Sequence, residues 1–202
     1  MKILVLGGTS FVGRAMVDDA LSRGDELTLF SRGRTGTELF PDVARLVGDR
    51  ESGDYAALRG TDWDAVLDVS AYVPRHVAQA ADALAGSTGR YLFISTGAVY
   101  DGRADGPLDE TAARREPELG TEQVDGRTYG PLKVACEDDL ATLWGARATV
   151  VRPGDDARTD ERRPVAVARQ RLVLAGHLQR AVCAPVDLLG AELGLPPGSG
   201  LV

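Results

Sequence analysis

Cysteine, lysine and histidine are scarce in this 202-residue chain, and its last 48 residues hold no aromatic residue at all. The two cysteines, Cys136 and Cys183, stand outside any CxxC or Cys/His cluster, so neither a disulfide framework nor a metal site is expected. His76 and His177 have no companion ligands in the sequence and read as structural or solvated residues. Positive charge does not predominate: the formal balance is −7, which excludes a global field able to hold a phosphate backbone, so nucleic acid is not an expected partner. No apolar run approaches the ~20 residues of a membrane span, and Met1 leads straight into Lys2-Ile3-Leu4-Val5-Leu6 with no cleavable apolar stretch. No membrane partner and a reducing cytoplasm are the expected setting. A length of 202 leaves no room for two domains of ordinary size, while 44% apolar and 26% charged residues exclude a disordered chain.

What is present reads as alternating strands and helices. Residues 2–6 are continuously apolar, as in a strand covered on both faces, and are followed at once by Gly7-Gly8-Thr9-Ser10. From Phe11 the positions Phe11, Val12, Ala15, Met16 and Ala20 keep helical spacing, with Gly24 as the stop. Further strands are expected at 27–30, 44–47, 65–69, 90–95 and 148–151, with helices at 55–58, 73–85 and 129–144. The last of these should bury Leu132, Ala135, Cys136, Leu140 and Leu143. Residues 101–127 read as a long surface loop, and the runs Asp18-Asp19 and Glu137-Asp138-Asp139 as solvated helix faces. Strands alternating with helices predict an α/β fold, a Rossmann-like doubly wound parallel sheet.

Two constellations carry chemistry. Gly7, Ser10 and Gly13 lie between a buried strand and a helix, where glycines permit a tight turn and let helix-start N–H groups face a pyrophosphate; Ser10 stands in place of the usual central glycine. The second strand ends Phe30-Ser31-Arg32-Gly33-Arg34. No acid is there to hold a ribose 2′-hydroxyl, whereas Arg32 and Arg34 suit a 2′-phosphate, which favours NADP over NAD. Further on, Tyr129 and Lys133 are one helical turn apart, so the ammonium would favour the phenolate and make Tyr129 an acid/base. Thr96 lies just past the carboxyl end of a strand, where its hydroxyl could bond the reacting oxygen. Lys133 is one of only two lysines beside 21 arginines, which sharpens the pairing.

Taken in order, Leu6 to Gly13, Gly48-Asp49-Arg50, Ser95-Thr96-Gly97-Ala98-Val99-Tyr100, Tyr129 to Lys133 and Val151-Arg152-Pro153-Gly154 resemble the extended and atypical short-chain dehydrogenase/reductase proteins of the NAD-dependent epimerase/dehydratase type. The resemblance covers residues 1–154. It implies a cofactor site of Gly7, Thr9, Ser10, Phe11, Val12, Gly13, Ser31, Arg32, Arg34, Asp49, Arg50, Val69, Ser70, Ala71 and Lys133. Within it, Asp49 would lie near the adenine, Val69 to Ala71 along the cofactor, and Lys133 on the nicotinamide ribose. It also implies Thr96, Tyr129 and Lys133 as the catalytic set. Gly97-Ala98 occupies the place of the Asp-Glu pair of the nucleotide-sugar 4,6-dehydratases, which disfavours elimination of water.

The expected function is an NAD(P)-dependent oxidoreductase or epimerase that moves hydride between nicotinamide and a carbonyl or alcohol carbon, with nucleotide sugars among the candidate substrates. The alternative is a non-catalytic NADP-binding sensor or partner-binding protein. A small-molecule substrate is the expected partner, and a homodimer is left open. Atypical relatives that bind RNA are argued against by the acidic charge. Residues 1–154 are read as the dinucleotide-binding domain and 155–202 as an atypical tail: a truncated substrate-domain remnant, a frame-shifted product or a native short variant, expected to be less ordered than the domain and not to enclose a substrate.

Overall fold

In a computed structural model of the chain the described residues are 1–101 and 110–153. They form six strands, β1 (Lys2–Leu6), β2 (Glu26–Ser31), β3 (Ala44–Val47), β4 (Trp63–Asp68), β5 (Thr88–Ile94) and β6 (Ala148–Val151), and three α-helices, α1 (Phe11–Ser22), α2 (Pro74–Ala83) and α3 (Tyr129–Trp144). All strands pair in parallel in the order β3-β2-β1-β4-β5-β6. The chain winds outward from β1 in one direction and then, from β4, in the other. The crevice beyond the carboxyl ends of β1 and β4 is therefore the topological switch point at which such sheets bind ligands.

Both faces of the sheet are covered, which explains why its strands are continuously apolar. Leu4, Leu6, Phe30, Val66, Tyr91 and Phe93 point to one face and pack with Val77 and Ala80 of α2 and Cys136, Leu140 and Trp144 of α3. Their neighbours Ile3, Val5, Leu27, Leu29, Leu67 and Leu92 point to the other and meet Met16, Val17 and Ala20 of α1. Tyr91 and Trp144 rings lie 4.8 Å apart and pin α3 to the sheet, a contact worth about 1 kcal/mol beyond its buried area.

Three expectations are corrected. The segment at 55–58 is only a 3-10 turn, Ala56–Leu58, anchored by the buried Leu58. Leu143 is 45% exposed, because the buried side of α3 passes through Lys133, Val134 and Glu137 instead. Glu137 is no solvated acid: at 3% exposure its carboxylate accepts two bonds from Arg152, at 2.9 and 2.7 Å, which ties α3 to the end of β6. His76, read as structural or solvated, is buried, at 2% exposure. The described part of the 101–127 stretch holds no helix or strand, but it is fastened to the site: Arg115 N–H donates to Val99 O and Asp101 N–H to Ala113 O. The tail expectations, with Cys183 and His177, lie outside the described residues.

Candidate active site

The loops after β1, β2, β3, β4 and β5 and the start of α3 enclose one cleft of about 700 Å³. One end of it is the turn from Gly7 to Gly13. Gly7 has φ 105°, and a Cβ there would lie 2.7 Å from Val69 Cγ2; one on Gly13 would lie 2.9 Å from the same methyl. Val69 thus fills the space that side chains would need, and only glycine lets β1, α1 and the β4 loop approach so closely. Ser10 begins α1 without using its hydroxyl as a cap. The first-turn N–H groups behind it have no carbonyl of their own helix to meet, so they can receive an anion. Phe11 is 69% exposed in a left-handed backbone, φ 39°, at the mouth of the cleft. Such strain in a bulky residue marks a position held for more than packing.

At the β2 end, Ser31, Arg32 and Arg34 line the cleft, and Ser31 Oγ accepts from Gly33 N–H at 3.3 Å to shape the turn that presents the exposed arginines. Beyond β3, Asp49 is held by backbone bonds to Asp54, and one carboxylate oxygen accepts from Glu51 N–H at 3.0 Å. Arg50 lines the floor, but its guanidinium is engaged with the protein. It donates to both carboxylate oxygens of Asp68, at 2.6 and 2.8 Å, to Ser70 Oγ at 2.8 Å and to Tyr55 OH at 3.2 Å. Burial opposes both charges, yet each partner overrides it: Arg50 stays above the ordinary arginine range and Asp68 below the ordinary carboxylate range. Tyr91 donates to Asp68 at 2.5 Å, and burial followed by that carboxylate pushes its phenol well up.

The opposite end gathers the end of β5 and the start of α3. Thr96, 6% exposed, accepts from Ala98 N–H at 3.2 Å. Tyr129 opens α3 and Lys133 follows one turn later, both on the cleft. The Lys133 ammonium donates to Ala71 O at 2.7 Å and Ile94 O at 2.8 Å, and it lies 4.3 Å from the centre of the Phe93 ring. Burial pulls its pKa down from 10.5 to about 8. Gly130 is obligatory, since a Cβ would fall onto the Ala98 carbonyl oxygen.

Every proposed cofactor and catalytic residue therefore lines this one cleft except Ala71, which is fully buried and takes part through its carbonyl. Several other lining residues were not expected from the sequence, among them Tyr72, Ser95, Pro153 and His76. Tyr72 is tilted against Tyr129 with 6.3 Å between ring centroids. Ser95 Oγ is buried with no hydrogen-bond partner among the described residues. Pro153 closes the cleft from β6, and its carbonyl accepts from Gly97 N–H. His76 Nε2 stands 3.5 Å from Glu51, with its pKa lowered by burial and then by Arg50. Only the Ser95-Thr96 pairing at a strand end was a signal available in the sequence.

Comparison with known proteins agrees with this architecture. No family model matches the chain. Among curated proteins it is similar to the chloroplast stem-loop binding protein of 41 kDa b of Arabidopsis thaliana, 28% identical over 114 residues, covering 49% of this chain and 30% of that protein. Among solved structures it is similar to a UDP-galactose 4-epimerase, with TM-score 0.61 and 22% identity over 75% of this chain and 55% of the other. It is also similar to a UDP-glucuronic acid 4-epimerase from Bacillus cereus in complex with NAD, with TM-score 0.60 and 18% identity over 76% and 57%. A UDP-glucose 4-epimerase from Thermus thermophilus in complex with NAD matches with TM-score 0.59 and 20% identity over 75% and 54%. The chain thus spans little more than half the length of these epimerases and under a third of the curated relative. Six parallel strands in this order, flanked by helices on both faces, give the chain the Rossmann-like fold of these epimerases.

Proposed function

We propose that the chain is an NAD(P)-dependent oxidoreductase or epimerase of the epimerase/dehydratase type, acting on an alcohol or carbonyl carbon, with nucleotide sugars as a candidate substrate class. The observation that carries this reading is the single cleft in which the glycine turn, Asp49, Thr96, Tyr129 and Lys133 meet. The residues present fit a dinucleotide: Gly7 and Gly13 clear the backbone for a pyrophosphate, and the two exposed arginines after β2 suit a 2′-phosphate. NADP is accordingly the proposed cofactor, although the NAD complexes of the similar epimerases keep NAD in view. A bound nicotinamide would supply the hydride chemistry.

The chain's own residues supply proton transfer and orientation. Tyr129 takes the proton of a substrate hydroxyl as its carbon is oxidised, and returns one when a carbonyl is reduced. Thr96 Oγ1 holds the same oxygen, and Lys133 presents a cation beside both. Tyr72 and Pro153 line the same end of the cleft.

The test is NADPH oxidation with a panel of carbonyl compounds, together with UDP-galactose and UDP-glucose interconversion, by the 202-residue chain and by its Tyr129→Phe variant. Turnover lost in the variant supports the reading. NADPH binding without any turnover favours the sensor alternative, and neither binding nor turnover removes both.

A further inference from the structure

The floor of the cleft is one connected polar unit. Asp68 Oδ1 accepts from the backbone N–H groups of Ser70 and Ala71, each at 3.1 Å, while both its oxygens accept from Arg50. Ser70 Oγ accepts from Arg50 and donates to Leu6 O at 3.0 Å, and Arg50 also donates to His76 O at 3.2 Å. The loop after β4 is thereby fastened to β1, to the turn after β3 and to the start of α2. Its Ala71 carbonyl is one of the two acceptors that hold the Lys133 ammonium. A buried ion pair is a costly way to fix a loop, because apolar side chains of similar volume stabilise a core at least as well. Retaining one here makes sense if it sets the loop's position and not merely its stability.

We infer that Arg50 and Asp68 are positioning residues for Lys133: by clamping the Ser70 and Ala71 N–H groups they fix the Ala71 carbonyl that aims the ammonium at the cleft. Arg50 therefore acts on the cofactor site from beneath. The inference deepens the proposed function and rests on it for the role of Lys133. The charged and titratable groups around Lys133 are Cys136 and Glu137 on its own helix and Asp68 and Arg50 below. Replacing both members of the pair keeps the net charge and leaves no orphaned ion.

With only two lysines in the chain, the side-chain 1H–15N NMR spectrum of lysine-labelled protein has two ammonium signals, and that of Lys2 is the internal reference. Proton exchange at Lys133 Nζ and NADPH affinity are measured for the unmodified chain, for Arg50→Met/Asp68→Leu and for Arg50→Lys. In the double variant exchange is expected to quicken and NADPH affinity to fall, each by about tenfold, the worth of one charged hydrogen bond. Arg50→Lys keeps the charge but cannot span both Asp68 oxygens and Ser70 Oγ, so intermediate values are expected and this mild change decides the matter if the double variant does not fold. Unchanged Lys133 exchange in the folded variants overturns the proposal, as does faster exchange with unchanged NADPH affinity. If exchange quickens while the unmodified chain binds neither NADPH nor NADH, the positioning role stands and the dinucleotide reading falls.

Discussion

In the proposed function Tyr129 and Lys133 divide the labour of proton transfer and charge, and their variants should fail differently. Tyr129→Phe removes only the acid/base oxygen, so redox turnover should be lost while NADPH affinity, read by fluorescence titration, stays within about threefold. Lys133→Met should damage both. Because burial lowers the Lys133 pKa from 10.5 to about 8, the unfolded chain binds more protons than the folded one between those values. Its contribution to stability therefore rises as pH increases from about 8 to about 10.5. Urea unfolding of the unmodified chain against Lys133→Met should show this as a difference that grows across the window by up to about 3 kcal/mol. A flat difference would mean that Lys133 titrates like an exposed lysine. At the other end, Arg32→Asp should reverse a preference for NADP, read from paired NADPH and NADH titrations. The placement of Tyr129, Lys133 and Thr96 on one cleft was legible because helical spacing and a strand end bring them there in any such fold. The Arg50–Asp68 pair was not: its members are 18 residues apart, one in the turn after β3 and the other at the end of β4, strands that are not sheet neighbours, and nothing local announces their meeting.

Among the elements, α3 is held at its two ends by opposite means. Gly130 lies against the Ala98 carbonyl, and Trp144 lies tilted against Tyr91. Gly130→Ala should push the start of the helix, and Tyr129 with it, away from Thr96; a loss of about 1–3 kcal/mol in urea unfolding is expected, with turnover falling further than stability accounts for. Full stability in that variant would mean that the contact gives way freely. The strands were legible because apolar residues run on without alternation where both faces of a parallel sheet are covered. The buried faces of α3 were less so: Glu137 reads as surface charge until the end of β6 brings Arg152 to it, and Leu143 reads as core although no element covers that side of the last turn among the described residues. Helical period tells which residues share a face, and not which neighbour that face will meet.

At the scale of the molecule, one sheet with a reversal of winding at β1 and β4 puts five loops at one end and leaves a cleft lined by backbone, arginines and a Tyr/Lys pair. The net charge of −7 makes the arginines after β2 a local exception, which suits a small phosphate-bearing ligand better than a polyanion. Whether that cleft holds a dinucleotide is the claim on which the rest depends, and calorimetric titration of the 202-residue chain with NADPH, repeated with NADH and with Gly13→Val, tests it most directly. The account predicts one site per chain, tighter binding of NADPH, and loss of binding in the Gly13→Val protein, where the added side chain meets Val69 and the Gly8 backbone. No saturable heat with either nucleotide, or equal binding by Gly13→Val, would contradict it.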